Sequence, residues 1–371
     1  MTDHTSNNLQ PLPGGSDGIR PRRAVIASAA LALGLAPALA ACSSPNSSPN
    51  SSGGGDKTIA LLLPESKTTR YETFDKPLFE AKVKELCSDC SVKYYNADQD
   101  EQKQSQQVDT AISEGAKVIV LDPVNGGGAG GMISAAHDAG AKVIAYDRFI
   151  EGADYYMSFD NETVGRLQGE ALVEAMGGGG GILMLNGAPS DPNAAQFKKG
   201  AHSALDGKVK LLAKEYDNPD WSPDNAQKYV TDQLSKIPAK KIKGVYAAND
   251  GQAGGVIAAL KDAGVRSLPP VTGQDAELAA IQRILAGEQA MTIYKPIPVE
   301  ANKAGEVAVA LVNGDDVGET TDYNGVKSFI FDPIVVKKDN VKDTVVADGF
   351  YKVADICAGD YAKACQAAGL S

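Results

Sequence analysis

From Lys57 onward, short apolar runs alternate with longer amphipathic stretches. Thr58–Leu63, Val92–Asn96, Val118–Leu121 and Val143–Tyr146 have the length and β-branched content of strands. The intervals between them read as helices. Phe74–Leu86 is one, and Glu101–Glu114 is another, with Val108, Ala111 and Ile112 on its apolar face. After Tyr156–Phe159 the alternation restarts. A helix follows Asn161, with Val164, Leu167, Ala171 and Leu172 along one side. Further strands are expected at Ile182–Leu185, Leu211–Tyr216, Val245–Ala248, Val271–Gly273 and Met291–Tyr294. Pro296 then opens a helix to about Val312, and a last apolar run covers Phe329–Val336. Strands and amphipathic helices in alternation make βαβ units on a parallel sheet.

The pattern occurs twice, so the expected fold class is α/β, with two doubly wound Rossmann-like lobes and a ligand cleft between them. The N-terminal lobe is expected over 57–160 and 296–325, and the C-terminal lobe over 161–295 and 326–346. Residues 347–371 form a C-terminal extension. Ligands of open α/β sheets bind beyond the carboxyl ends of the strands. Those ends carry Arg70-Tyr71, Asp147-Arg148, Asp191-Pro192-Asn193, Trp221, Asn249-Asp250, Gln274-Asp275 and Lys295. Amides, carboxylates and cationic donors with one indole suit a sugar. Each hydroxyl both donates and accepts, and the ring's C–H face can lie on an aromatic. Helix capping is the competing explanation for Asp191, Asp275 and Asp250, and a hydrophobic staple for Trp221. A set of such residues at successive strand ends is harder to assign to capping alone.

Upstream, Arg20, Arg22 and Arg23 precede the uncharged, mostly apolar run Ala24–Ala41. This is the pattern of a signal peptide over 1–41. Gly34, Pro37 and the abundance of Ala argue against a membrane-spanning helix. Leu39-Ala40-Ala41-Cys42 resembles a bacterial lipobox, in which Cys42 is lipidated and becomes the new N-terminus. Arg22-Arg23 leaves Sec and twin-arginine export both open. Residues 42–56, rich in Ser, Pro, Asn and Gly, form a flexible tether. The expected location is extracytoplasmic, lipid-anchored to the outer face of the cytoplasmic membrane. Export permits disulfides among Cys87, Cys90, Cys357 and Cys365. Three pairings are possible, and the two local loops require the least assumption.

Composition narrows the function. With 36 Lys+Arg against 47 Asp+Glu and a net charge of −11, the chain lacks the basic balance of a nucleic-acid binder. Only three histidines occur, and His4 lies in the targeting segment. A histidine-rich metal site or a Ser-His-Asp triad is therefore not expected. Gly126-x-Gly128-x-x-Gly131 matches the dinucleotide fingerprint but follows the third strand instead of the first. No cofactor and no metal are expected.

The motifs Tyr146–Arg148, Ser158–Glu162, Asn249–Gly255, Gly273–Ala279 and Met291–Pro296 resemble the sugar-binding type I periplasmic-binding-protein family. Within it, they are most similar to the D-xylose-binding proteins of bacterial ABC importers. The similarity runs from about Ile59 to Phe350. It implies that Arg70, Asp147, Arg148, Asp191, Asn193, Trp221, Asn249, Asp275 and Lys295 contact a pentose. Thr73 stands where that family has a second basic residue, and Tyr71 where it has Trp.

The expected protein is thus a non-enzymatic, monomeric binding lipoprotein that delivers a monosaccharide, foremost D-xylose, to a membrane permease. Alternatives are another pentose or hexose, or presentation of a sugar to a chemoreceptor. A transcriptional regulator of this fold would need an N-terminal basic helix-turn-helix where this chain has an export signal. An exported sugar-active enzyme would use paired carboxylates, and Asp147, Asp191 and Asp275 supply candidates. Their Arg and Lys partners suit carboxylates kept ionised for binding.

Overall fold

The structure, a computed structural model, describes residues 57–370. The expected signal peptide, Cys42 and the tether lie outside the described residues. The first lobe opens with β1 (Thr58–Leu63), α1 (Lys76–Leu86), β2 (Ser91–Asn96), α2 (Glu101–Ser113) and β3 (Ala116–Leu121). It continues through α3 (Gly130–Asp138), β4 (Lys142–Tyr146) and β5 (Tyr155–Phe159). The second lobe follows with α4 (Asn161–Ala175), β6 (Gly180–Asn186), α5 (Pro192–Leu205), β7 (Val209–Leu211) and β8 (Tyr216–Asp217). Next come α6 (Pro223–Leu234), β9 (Gly244–Ala247), α7 (Asp250–Asp262), α8 (Leu278–Ala286) and β10 (Thr292–Tyr294). The chain then returns through α9 (Ile297–Asn313), β11 (Thr321–Tyr323) and β12 (Val326–Phe331), and crosses again at β13 (Ile334–Val336).

The first sheet has seven strands in the order β11-β12-β5-β4-β3-β1-β2. All its pairs are parallel except the β11–β12 hairpin. Every residue of β1 is buried, as a central parallel strand covered on both faces requires. Ala304, Val307 and Ala308 of α9 cover one face, against Ile59, Leu61 and Val118. In the second lobe β6 is central, with β9 on one side and β7 and β8 in succession on the other. Helices α4 and α5 pack unusually close. A Cβ at Gly165 would stand 1.9 Å from the Phe197 carbonyl oxygen, and one at Gly200 would stand 2.0 Å from that of Glu162.

Four expectations need correction. The chain does not return to the second lobe at 326, because β12 pairs in register with β5 from Lys327 to Phe331. The crossing comes at Asp332-Pro333, where proline has no N–H to continue the ladder. The single run Phe329–Val336 is therefore two strands in two sheets. The expected strand Leu211–Tyr216 is broken into β7 and β8, and Val271 contributes only an isolated bridge to Val245.

The C-terminal residues fold onto the second lobe. Val345, Phe350, Ile356, Cys365 and Leu370 share a core with Ile281 and Leu285 of α8 and with Tyr294. Cysteine pairing is local: Cys87 with Cys90 and Cys357 with Cys365, with Cα separations of 5.3 and 5.7 Å. Among the described residues, no helix is long and apolar enough to cross a membrane.

Candidate ligand site

All nine residues singled out from the sequence line one cavity between the lobes, together with Thr68, Tyr71, Phe197 and Gln274. About 290 Å³ of space lies between these residues, continuous with solvent. Arg70, Asp147, Arg148, Asp191, Asn193, Trp221, Asn249, Asp275 and Lys295 are all buried. They come together because parallel strands deliver their carboxyl ends to one edge of each sheet, and the two edges face each other.

Backbone strain marks the same places. Asp147, Trp221 and Asp275 have left-handed backbones, with φ of 55°, 61° and 89°. Such conformations cost a non-glycine residue about 1–3 kcal/mol and persist only where surrounding bonds enforce them. At Asp147, the carbonyl accepts from Asn193 Nδ2 at 2.9 Å and from the Tyr156 hydroxyl at 3.4 Å. At Asp275, the N–H donates to the Ile293 carbonyl at 2.8 Å, and the next N–H donates to Thr292 Oγ1. Buried Asp250 completes this turn by accepting from the Glu277 N–H and the Thr292 hydroxyl.

Capping and cleft placement prove compatible. Asp191 caps α5 by accepting from the Asn193 N–H at 2.8 Å, and Asn249 caps α7 by accepting from the Gln252 N–H at 2.9 Å. Asp250 is therefore not the cap. Asp275 is not one either, since Glu277 occupies that position on α8. Trp221 donates its indole N–H to Asp191 Oδ2 at 3.2 Å and meets Phe197 edge-on. Its ring lies flush on Gly187, where a Cβ would fall 2.0 Å from Cη2.

Behind the lining runs a charge network. Asp75 grips Arg70 at Nε and Nη2, Glu300 accepts from Nη2 at 2.7 Å, and Asp147 accepts from Nη1 at 3.1 Å. This leaves Arg70 a single N–H to offer a ligand. Arg148 is held by the Pro123 carbonyl, the Tyr71 hydroxyl and ion pairs to Asp122 and Asp191. Lys295 pairs with Asp275 at 3.0 Å and lies 3.8 Å from Asp147. Burial pushes Asp147 up, but Arg70, Lys295 and Arg148 outweigh it and hold the carboxyl below its ordinary range. Burial pushes the carboxyls of Asp122 and Glu300 well up, and that of Asp191 up to a lesser degree. The charges are thus largely compensated by one another. Asn193 Oδ1 and Gln274 Oε1 are buried without a hydrogen-bond partner. Single donors and acceptors spread over a compensated surface match a neutral polyhydroxy ligand better than an ion.

Sequence reasoning missed Thr68, Phe197, Asp75, Asp122 and Glu300. Asp122 directly follows β3, so the strand-end rule could have found it. Glu300 sits in the first turn of α9, where a carboxylate ordinarily serves an exposed helix start, so no separate sequence signal marked its burial.

Residues 59–316 match the periplasmic binding protein domain family. The D-xylose-binding periplasmic protein of Escherichia coli (strain K12) is 38% identical over 329 residues, spanning 86% of this chain and 98% of that one. The D-xylose-binding periplasmic protein of Haemophilus influenzae (strain ATCC 51907 / DSM 11121 / KW20 / Rd) is 36% identical over 307 residues, with 80% and 91% covered. The structure resembles an ABC transporter solute-binding protein from Clostridium phytofermentans with bound β-D-glucose. That match has a TM-score of 0.74 and 28% identity, covering 81% of this chain and 100% of the other. These relatives are solute-binding proteins, not enzymes.

Proposed function

This chain belongs to the periplasmic binding protein family, as an extracytoplasmic sugar-binding protein of ABC transporters with the type I fold, and we propose that its sugar is D-xylose. The observation that carries the reading is the cavity lining: nine buried polar and aromatic residues from both lobes, with charges neutralised among themselves. In this reading Trp221 covers the C–H face of the ring. Arg70, Arg148 and Lys295 donate to hydroxyl oxygens, while Asp147, Asp191 and Asp275 accept from hydroxyl protons. Asn193 and Asn249 can do either.

The test is calorimetry of the purified protein against D-xylose, D-ribose, L-arabinose, D-glucose and xylitol. D-xylose should bind most tightly. Tighter binding of D-glucose would move the assignment to a hexose carrier, and heat from turnover of a xyloside would move it to an enzyme.

We further propose a monomer, tethered through lipidated Cys42 and carrying the local disulfides Cys87–Cys90 and Cys357–Cys365. A single acyl chain holds only marginally, so stable attachment requires two or more. Cys42→Ser should release the protein from the membrane fraction or leave it unprocessed. Full membrane retention of a processed variant would count against lipidation.

A further inference from the structure

We infer that Phe74 and Phe350 form a positioning pair for the sugar site, through which the C-terminal segment holds the turn carrying Arg70 and Tyr71. The inference rests on the cavity being the sugar site. Residues Tyr71–Asp75 wind as one wide π-helical turn, a rare form that is frequent at functional sites. Two of its members serve the cleft: Tyr71 lines the cavity, and Asp75 grips Arg70. Phe74 leaves the same turn toward the C-terminal segment. Its ring lies 4.0 Å from that of Phe350 at 25°, and meets Tyr351 edge-on at 5.6 Å.

Phe350 has a second neighbour. Its ring tilts onto Tyr294 at 5.0 Å, one residue before Lys295. One aromatic ring therefore lies between the turn bearing Arg70 and the strand bearing Lys295. Both of these cations face Asp147 Oδ1, at 3.1 and 3.8 Å. Their spacing across the crossover between the lobes is set where Phe350 packs.

The segment is itself firmly seated. Ile356, Cys365 and Leu370 are buried against α8, Gln282 Nε2 donates to the Ile356 carbonyl at 3.2 Å, and Cys357 pairs with Cys365. The family match ends at residue 316, so this support lies beyond the matched domain.

The experiment uses the full chain with Phe74→Leu, Phe350→Leu, the double variant and Phe350→Tyr as the conservative control. Stopped-flow tryptophan fluorescence with D-xylose gives association and dissociation rates. Hydrogen exchange without sugar reads the amides of Tyr71–Asp75. Each Leu variant should dissociate sugar about three- to tenfold faster, the range an aromatic pair supports, with association nearly unchanged. The double variant should match the singles, Phe350→Tyr should restore the wild-type rate, and the turn's amides should lose protection. Additive effects, or affinity loss tracking thermal destabilisation with unchanged exchange at the turn, would overturn the pair. Should the wild type bind no monosaccharide, the sugar reading falls, and the exchange data still decide whether Phe350 orders the turn.

Discussion

Arg148 of the first lobe is shared between two carboxylates on opposite sides of the cleft. Its Nε lies 3.3 Å from Asp122 Oδ1 in its own lobe and 2.9 Å from Asp191 Oδ2 in the other. Asp122 holds the guanidinium from its own lobe, and Asp191 holds it from across the cleft. Burial raises the carboxyls of both Asp122 and Asp191, and in each the shared cation opposes that rise.

Replacing Arg148 by Met should therefore weaken sugar binding severely. It removes a donor and leaves two buried carboxyls without their cation. Breaking a buried pair from one side costs about 3–5 kcal/mol, a hundred- to thousandfold or more in Kd. Asp122→Asn keeps a polar side chain of the same shape and should cost less. Calorimetry on both variants checks the order. An Arg148→Met protein binding within tenfold of wild type would remove Arg148 from the site.

Gly187→Ala tests how the indole is held. A methyl there would stand 2.0 Å from Trp221 Cη2, so the ring must move. The chain has a single tryptophan, so its emission reports that ring directly. The variant should show shifted emission without sugar and at least tenfold weaker binding, since a displaced ring loses its stacking and its N–H bond to Asp191. Unchanged emission and Kd would mean the ring is not held against Gly187 in solution.

Glu277 gives a pH dependence of definite sign. Burial, with Asp275 nearby, raises its carboxyl from 4.5 to about 7, while Arg283 and hydrogen bonds from Thr69 oppose the shift. Between these values the folded protein holds a proton that the unfolded chain has released, so this contribution to stability falls as pH rises and is lost above about 7. Glu277→Gln is neutral throughout. Its Tm should match wild type near pH 4.5 and exceed it by several degrees at pH 8. Taking the difference cancels the other titrating groups. A Tm gap that does not widen with pH would show that Glu277 titrates normally.

The site was more legible in the sequence than the boundaries of the fold. Asp147, Asn249 and Lys295 could be placed because a parallel strand ends at a sheet edge wherever its neighbours lie. Two close glycines, Gly165 and Gly200, give no hydrophobic signal, so the tight α4–α5 contact was not foreseen. Glu300 was hidden because one carboxylate on an otherwise apolar helix face reads as an exposed residue until its cation is placed. The crossing at Asp332-Pro333 was missed because Phe329–Val336 is apolar throughout, and hydrophobicity does not say which of two sheets a strand joins. The proline was the available cue.

Closure of the lobes is the last expectation. Besides the Arg148–Asp191 pair, Asn193 Nδ2 reaches the Asp147 carbonyl, the Gly126 N–H donates to the Ser190 carbonyl, and the Tyr323 hydroxyl donates to Gln196. Lys67 also meets Asp220 at the rim. The rim pair is partly exposed and adds little. The buried contacts alone leave Asn193 Oδ1 and Gln274 Oε1 unpaired, and each such atom costs about 1–3 kcal/mol. Sugar hydroxyls supply the missing partners only when both lobes reach them. The sugar should thus draw an existing open–closed equilibrium toward closure by binding the closed form better. Small-angle scattering should show a radius of gyration that shrinks on adding D-xylose. Asn193→Ala loses the bond that holds the left-handed Asp147 carbonyl, and should weaken binding by roughly tenfold while its saturated radius equals that of wild type. A radius unmoved by saturating sugar, with wild-type affinity in Asn193→Ala, would sink both the closure and the two-lobed assignment of the site.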